Sequence, residues 1–221
     1  MTSALTLKEL RESAGVAALG LAGLALVGLT AIGWSPLGNM FGMLGRGRAG
    51  TIPFLYDSFG FQFALAASAL AMVLGFKQSV GDLLGDAQLF LLHRPISRRN
   101  VYLTKVSVGL SLYLVLTGLA VAIYAAWAAS SGTHASPFAW SMTIPVWMIW
   151  LSISLVYLGA FLSGIRPAAW FGTRLMPVIA ACALATLAAS IPPLAGLAVA
   201  LFAGMTLVSL ILYVAQTRDF A

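Results

Sequence analysis

The chain is an all-α integral membrane protein by sequence, and three observations carry that expectation. Of its 221 residues, 61% are hydrophobic and 8% are charged, whereas a soluble domain carries about 25% charge. Charge-free apolar runs recur at about the 20-residue length that crosses a hydrocarbon core. The twelve Lys and Arg outnumber six Asp and Glu, and they cluster in the gaps between those runs. In a soluble protein that excess would suggest nucleic acid; here membrane topology explains it.

In chain order, residues 2–13 predict a short amphipathic helix lying flat on the inner leaflet. Thr6 and Glu9 fit a capping box, and Leu7, Leu10 and Ala14 share a face. A plain helical extension of the first span is the alternative. The first span is expected over residues 15–33. Glu9 and Glu12 interrupt the basic start, and the apolar run is long for a signal core, so a retained span is expected rather than a cleaved leader. The second span falls at residues 58–76, between Asp57 and Lys77. The polar break at residues 130–137 divides the next charge-free stretch into spans near 106–129 and 138–162. Pro192 and Pro193 force a turn that separates spans near 175–189 and 194–215. Six transmembrane helices result.

Counting charge fixes the expected orientation. With the N-terminus cytoplasmic, ten Lys and Arg fall inside and only Arg46 and Arg48 outside. Both termini are then cytoplasmic. Trp34, Trp127 and Trp140 fall at the outer boundary, and Tyr102 and Trp170 at the inner one, as interfacial anchors. Arg outnumbering Lys in an Ala- and Gly-rich chain points to a bacterium with a GC-rich genome, and the expected location is the bacterial cytoplasmic (inner) membrane. The outer loop 35–57 is too short and Gly-rich for a domain.

The most informative stretch is the polar island 77–105, which holds five of the twelve basic residues: Lys77, Arg94, Arg98, Arg99 and Lys105. A charge at the bilayer centre costs roughly 2.5–3.5 kcal/mol, so the island is expected as a cytoplasmic loop. Ser79 suits a helix cap, and Val80, Leu83, Leu84, Ala87 and Leu91 follow a helical rhythm. Asp82 in the first turn complements the helix dipole. Pro95 stops that helix near His93, and Ser97 starts the next one. An apolar stripe with a basic rim needs a cover, either the span ends or a partner protein.

The segment Leu91-Leu92-His93-Arg94-Pro95-Ile96-Ser97-Arg98-Arg99 with downstream Lys105 resembles the loop between the second and third spans of ABC type-2 transporter permeases. The resemblance implies a coupling helix over residues 79–92 that docks on a separate ATPase subunit through Val80, Asp82, Leu83, Leu84, Ala87 and Leu91. It implies Pro95, Ser97, Arg98, Arg99 and Lys105 as the motif that follows, and a second permease chain, identical or related. The family usually carries an acidic residue early in this loop; Gln78 and Asp82 are the nearest equivalents here.

Other chemistry is thin. No Walker loop is present, so ATP and magnesium are expected on the partner and no cofactor on this chain. His93 and His134 fall on opposite sides of the membrane, and Cys182 stands alone, so no metal cluster and no catalytic pairing are expected. His134 is expected as a solvated loop residue. Pro145, Trp147 and Trp150 are candidates for the wall of a translocation route, with helix packing and Pro kinks as the alternative. The spans contain no ionisable residue by these boundaries, so energy is expected to enter from outside the chain. The expected function is a permease exporting an apolar or amphipathic substrate. The alternative is a non-transporting scaffold recruiting a soluble partner through the same island.

Overall fold

A computed structural model describes residues 2–34, 52–55, 58–84, 97–130, 132–134, 137–169 and 173–217. Six helices order these residues: α1 (Thr2–Ala31), α2 (Phe59–Leu84), α3 (Arg98–Ala129), α4 (Ile144–Ile165), α5 (Met176–Ser190) and α6 (Pro193–Thr217). No strand occurs among the described residues. Five stretches are long and apolar enough to cross a membrane: Ala4–Ala31, Phe59–Val80, Arg98–Ala129, Trp140–Ile165 and Pro193–Thr217. The protein is therefore built as an α-helical membrane protein.

α4 is the hub. Its sequence is apolar on every side, and every residue from Leu155 to Ile165 is buried, as expected of a helix enclosed by others. It packs against α2, α3, α5 and α6. α1 lies outermost, touching α2 and α3. In the 18-residue apolar window of the stretch that includes α4, 72% of residues are buried, against 6% in the corresponding window of α1. Val16, Leu24, Val27 and Ala31 pack on the core, and with so few fully buried residues the specific polar contacts of α1 gain weight.

Several boundaries differ from expectation. Residues 2–13 form no separate flat helix; they are the first turns of the unbroken α1. Nothing in that stretch breaks a helix, and Glu9 escapes lipid by pairing within the protein. Ser79 starts no new helix either: it lies inside α2, 2% exposed. Its hydroxyl donates to the Gly75 carbonyl at 2.7 Å, a return to the preceding turn that leaves the helix intact. Pro145 and Pro177 kink nothing, because each sits in the first turn of its helix, where the missing N–H has no intrahelical partner to lose.

α5 has 15 residues, about 22 Å of rise, short of the roughly 30 Å hydrocarbon core. A methyl on Gly159 would meet Pro177, Val178 and Ala181, so α5 begins beside Gly159, well before α4 ends at Ile165. The chain after α4 thus climbs back along it. Arg174 anchors that return, donating through Nε to Ser163 O at 3.1 Å and through Nη2 to Gly164 O at 2.7 Å. Val178 N then donates to Ser163 Oγ at 3.1 Å.

The two ends of the bundle differ in chemistry. One carries all eight described Lys and Arg residues: Lys8, Arg11, Lys77, Arg98, Arg99, Lys105, Arg166 and Arg174. Their contacts tie α1 to α3, α1 to α2, and Thr173 and Arg174 to the end of α4. The other end carries an aromatic cluster. Phe59 stacks on Tyr124 at 4.0 Å and Tyr124 on Trp127 at 5.4 Å, with Phe138 and Trp140 packed 5.2 Å apart nearby. His134 is not a solvated loop residue; it is partly buried, 6.1 Å from the Trp127 ring. Tyr102 is buried against Phe161, 6.4 Å away, rather than anchored at an interface.

Candidate functional site

The densest polar chemistry lies at the basic end, where four helices meet around a buried ion pair. Lys105 Nζ is 2.9 Å from Glu9 Oε1, and the two side chains are 3% and 2% exposed. Glu9 sits in the first turns of α1, and Lys105 about two turns into α3, so the pair bolts the outermost helix to the bundle. Such a pair survives burial because each charge neutralises the other in a low dielectric.

Three further residues extend the cluster. Gln78 of α2 is 5% exposed, and its Nε2 reaches Ser13 Oγ of α1 at 3.4 Å. Tyr157 of α4, fully buried, donates its hydroxyl to Gln78 Oε1 at 2.7 Å. One turn past the ion pair, Gly109 of α3 leaves the space this hydrogen bond fills: a methyl there would strike both the Gln78 carboxamide and the Tyr157 hydroxyl. Beside them Lys77 donates to the Glu12 carbonyl, and Lys8 faces the Glu12 carboxylate at 3.5 Å. α1, α2, α3 and α4 are therefore cross-linked at one depth by side chains that lipid could not satisfy.

Chemically this cluster is a joint. Among the described residues no group of three His, Cys, Asp or Glu could hold a metal ion. Its consequence is mechanical: α3 cannot tilt alone without separating a buried ion pair.

The island divides in two about this joint. Its first part, through Leu84, is the end of α2, and its last part, from Arg98, is the start of α3. Ser97 caps α3 with extended backbone, its side chain accepting from Asn100 N at 3.4 Å. Arg98 and Arg99 are exposed, while Lys105 is 2% exposed and belongs to the joint rather than to a loop. Val80 lies against α4, next to Gly164. Asp82, Leu83 and Leu84 are helical in backbone; Ala87, Leu91 and Pro95 lie outside the described residues.

Of the candidate route residues, Pro145 is exposed in the first turn of α4 and Trp147 and Trp150 are partly buried. Trp150 is built into packing. Its Nε1 donates to Leu114 O of α3 at 3.2 Å, its own carbonyl accepts from the Tyr113 hydroxyl at 3.0 Å, and its ring lies 5.3 Å from that of Trp147.

Sequence reasoning missed Glu9, Ser13 and Tyr157 as members of one site. The signal was present in part: Glu9 and Lys105 are opposite charges, each flanked by apolar residues at helical spacing. Treating α1 as continuous would have placed Glu9 within reach of the bundle.

The chain matches no family model, no curated protein and no solved structure.

Proposed function

We propose that this chain is the permease subunit of an ATP-driven ABC type-2 exporter for an apolar or amphipathic substrate. It is a multi-pass protein of the bacterial inner membrane with both termini cytoplasmic, and α5, though shorter than the core is thick, completes a sixth crossing with the residues at its ends. It pairs with a second permease chain and with cytoplasmic ATPases that bind ATP and magnesium and dock on the 79–92 segment. It is not itself an enzyme.

The single observation carrying this reading is the sequence Leu91-Leu92-His93-Arg94-Pro95-Ile96-Ser97-Arg98-Arg99 leading straight into a helix capped at Ser97. Force applied to the loop reaches α2 and α3 together, because both extend toward it beyond the joint. The Glu9–Lys105 pair and the Gln78–Tyr157 bond carry that force on to α1 and α4.

The test is biochemical. Solubilised gently from its native membrane, the chain should bring down a soluble ATPase in equal number, and alone it should neither bind nor hydrolyse ATP. Transport by liposomes containing this chain alone would overturn the reading.

A further inference from the structure

At the end of the bundle opposite the basic residues, Ile52, Pro53, Phe54 and Leu55 make a tight turn. Leu55 N donates to Ile52 O at 3.3 Å, Pro53 occupies the second position, and Phe54 the third with φ +67°. That third position of a type II turn calls for a left-handed residue, and glycine is the usual occupant. A bulky residue there is a true outlier, and such strain persists only where surrounding contacts over-determine it. Phe54 is the only non-glycine residue with positive φ among those described.

The contacts that hold it are aromatic. The Phe54 ring lies 5.0 Å from Tyr124 of α3, 5.7 Å from Phe59 of α2 and 6.4 Å from Phe138 before α4. It is 8% exposed, and beneath it Phe59, Phe63, Val121 and Tyr124 are 0–2% exposed. Phe59 stacks on both Phe63 and Tyr124, so a column of rings fills the seam between α2 and α3. Side chains that reach across a seam can change rotamer, whereas close-packed backbones cannot.

We propose that Phe54 is a strained plug that seals the α2–α3 seam at this end and opens it by withdrawing. The turn supplies the drive to open, since leaving the seam lets Phe54 exchange a left-handed backbone for an ordinary one, and the aromatic contacts supply the hold that keeps it seated. What lies behind it is aromatic and aliphatic: Phe59, Phe63, Val121 and Tyr124, so whatever passes the opened seam meets apolar surface. As a gate for cargo the plug rests on the permease reading; as a seal it stands without it.

The experiment uses the full chain in liposomes without ATP or partner, in a Cys182→Ala background with Val121→Cys as reporter. With Phe54 in place, an impermeant thiol reagent should label the reporter slowly. Adding Phe54→Ala should accelerate labelling at least tenfold. Phe54→Gly should accelerate it equally yet melt at a higher temperature than Phe54→Ala, since only glycine relaxes the backbone. Should Phe54→Ala fail to accumulate, the Phe54→Gly and Phe54→Leu proteins carry the labelling comparison, with Phe54→Leu intermediate. Unchanged labelling in these variants, or a Phe54→Gly protein no more stable than the alanine variant, overturns the plug. Because neither readout involves an ATPase, its failure leaves the permease reading untouched, and the reverse holds too.

Discussion

Lys105 and Glu9, 96 positions apart in sequence, form a 2.9 Å ion pair between α3 and α1 with almost no solvent contact. The pair changes the meaning of the polar island. Lys105 reads in sequence as one more positive charge in a cytoplasmic loop, yet it is paired inside the bundle and joins α1 to α3. Since α1 buries little apolar surface, this polar contact has unusual weight in holding it.

Removing one partner should therefore be far worse than removing both. Lys105→Met or Glu9→Leu strands a buried charge and should cost about 3–5 kcal/mol. The double variant Glu9→Leu with Lys105→Met should recover most of that loss. Thermal melts of the four proteins in one detergent read the coupling directly. Additive losses would mean the two charges do not meet.

Gly109 should tolerate no side chain. Gly109→Ala places a methyl where the Gln78 carboxamide and Tyr157 hydroxyl meet, an overpacking that typically costs about 1–3 kcal/mol. In a Gln78→Ala background one of the two obstructing groups is gone and the Tyr157 hydroxyl has room to move, so the same substitution should cost less. Melting curves of the single and double variants test this, and an equal penalty in both backgrounds refutes the assignment.

Much of the fold was legible because bilayer crossing imposes a length and excludes charge, and those constraints appear as apolar runs and gaps. The turn at Pro192–Pro193, the cap at Ser97 and the clustering of Trp127 and Trp140 at one end all follow from local chemistry. Helix ends were less legible. Polar residues such as Lys77, Gln78 and Ser79 mark where lipid ends, but a helix continues as long as its backbone bonds are made. Hence α2 runs on to Leu84 and α1 begins at Thr2. The joint itself was hidden because it assembles residues from four helices. No local pattern announces that Ser13, Gln78 and Tyr157 share one depth, and only packing around Gly109 brings them together.

The sidedness proposed from charge has a direct test. In a Cys182→Ala background, single cysteines at Gly47 and Pro192 should react with an impermeant thiol reagent added outside intact cells. Cysteines at Asn100 and Thr173, both exposed at the basic end, should react only after the membrane is opened. Outside labelling at Asn100 would reverse the orientation and remove the proposed docking face from the cytoplasm.

The same face should separate docking from folding. Val80 packs beside Gly164 of α4, so Val80→Asp sets a charge against the hub helix and should lower the melting temperature whether or not a partner is present. Leu83 and Leu84 are the last two described residues of α2 and helical in backbone. If they belong to the docking stripe, Leu83→Ala and Leu84→Asp should leave the isolated chain folded. Co-purification of the ATPase should weaken, since truncating a central contact commonly costs about 2 kcal/mol or more. That loss is roughly a thirtyfold fall in affinity. The expected pattern is thus opposite for neighbouring positions: lost stability at 80, lost partner at 83 and 84. Unchanged ATPase recovery in both leucine variants would leave this helix end as a connector and move the docking surface elsewhere.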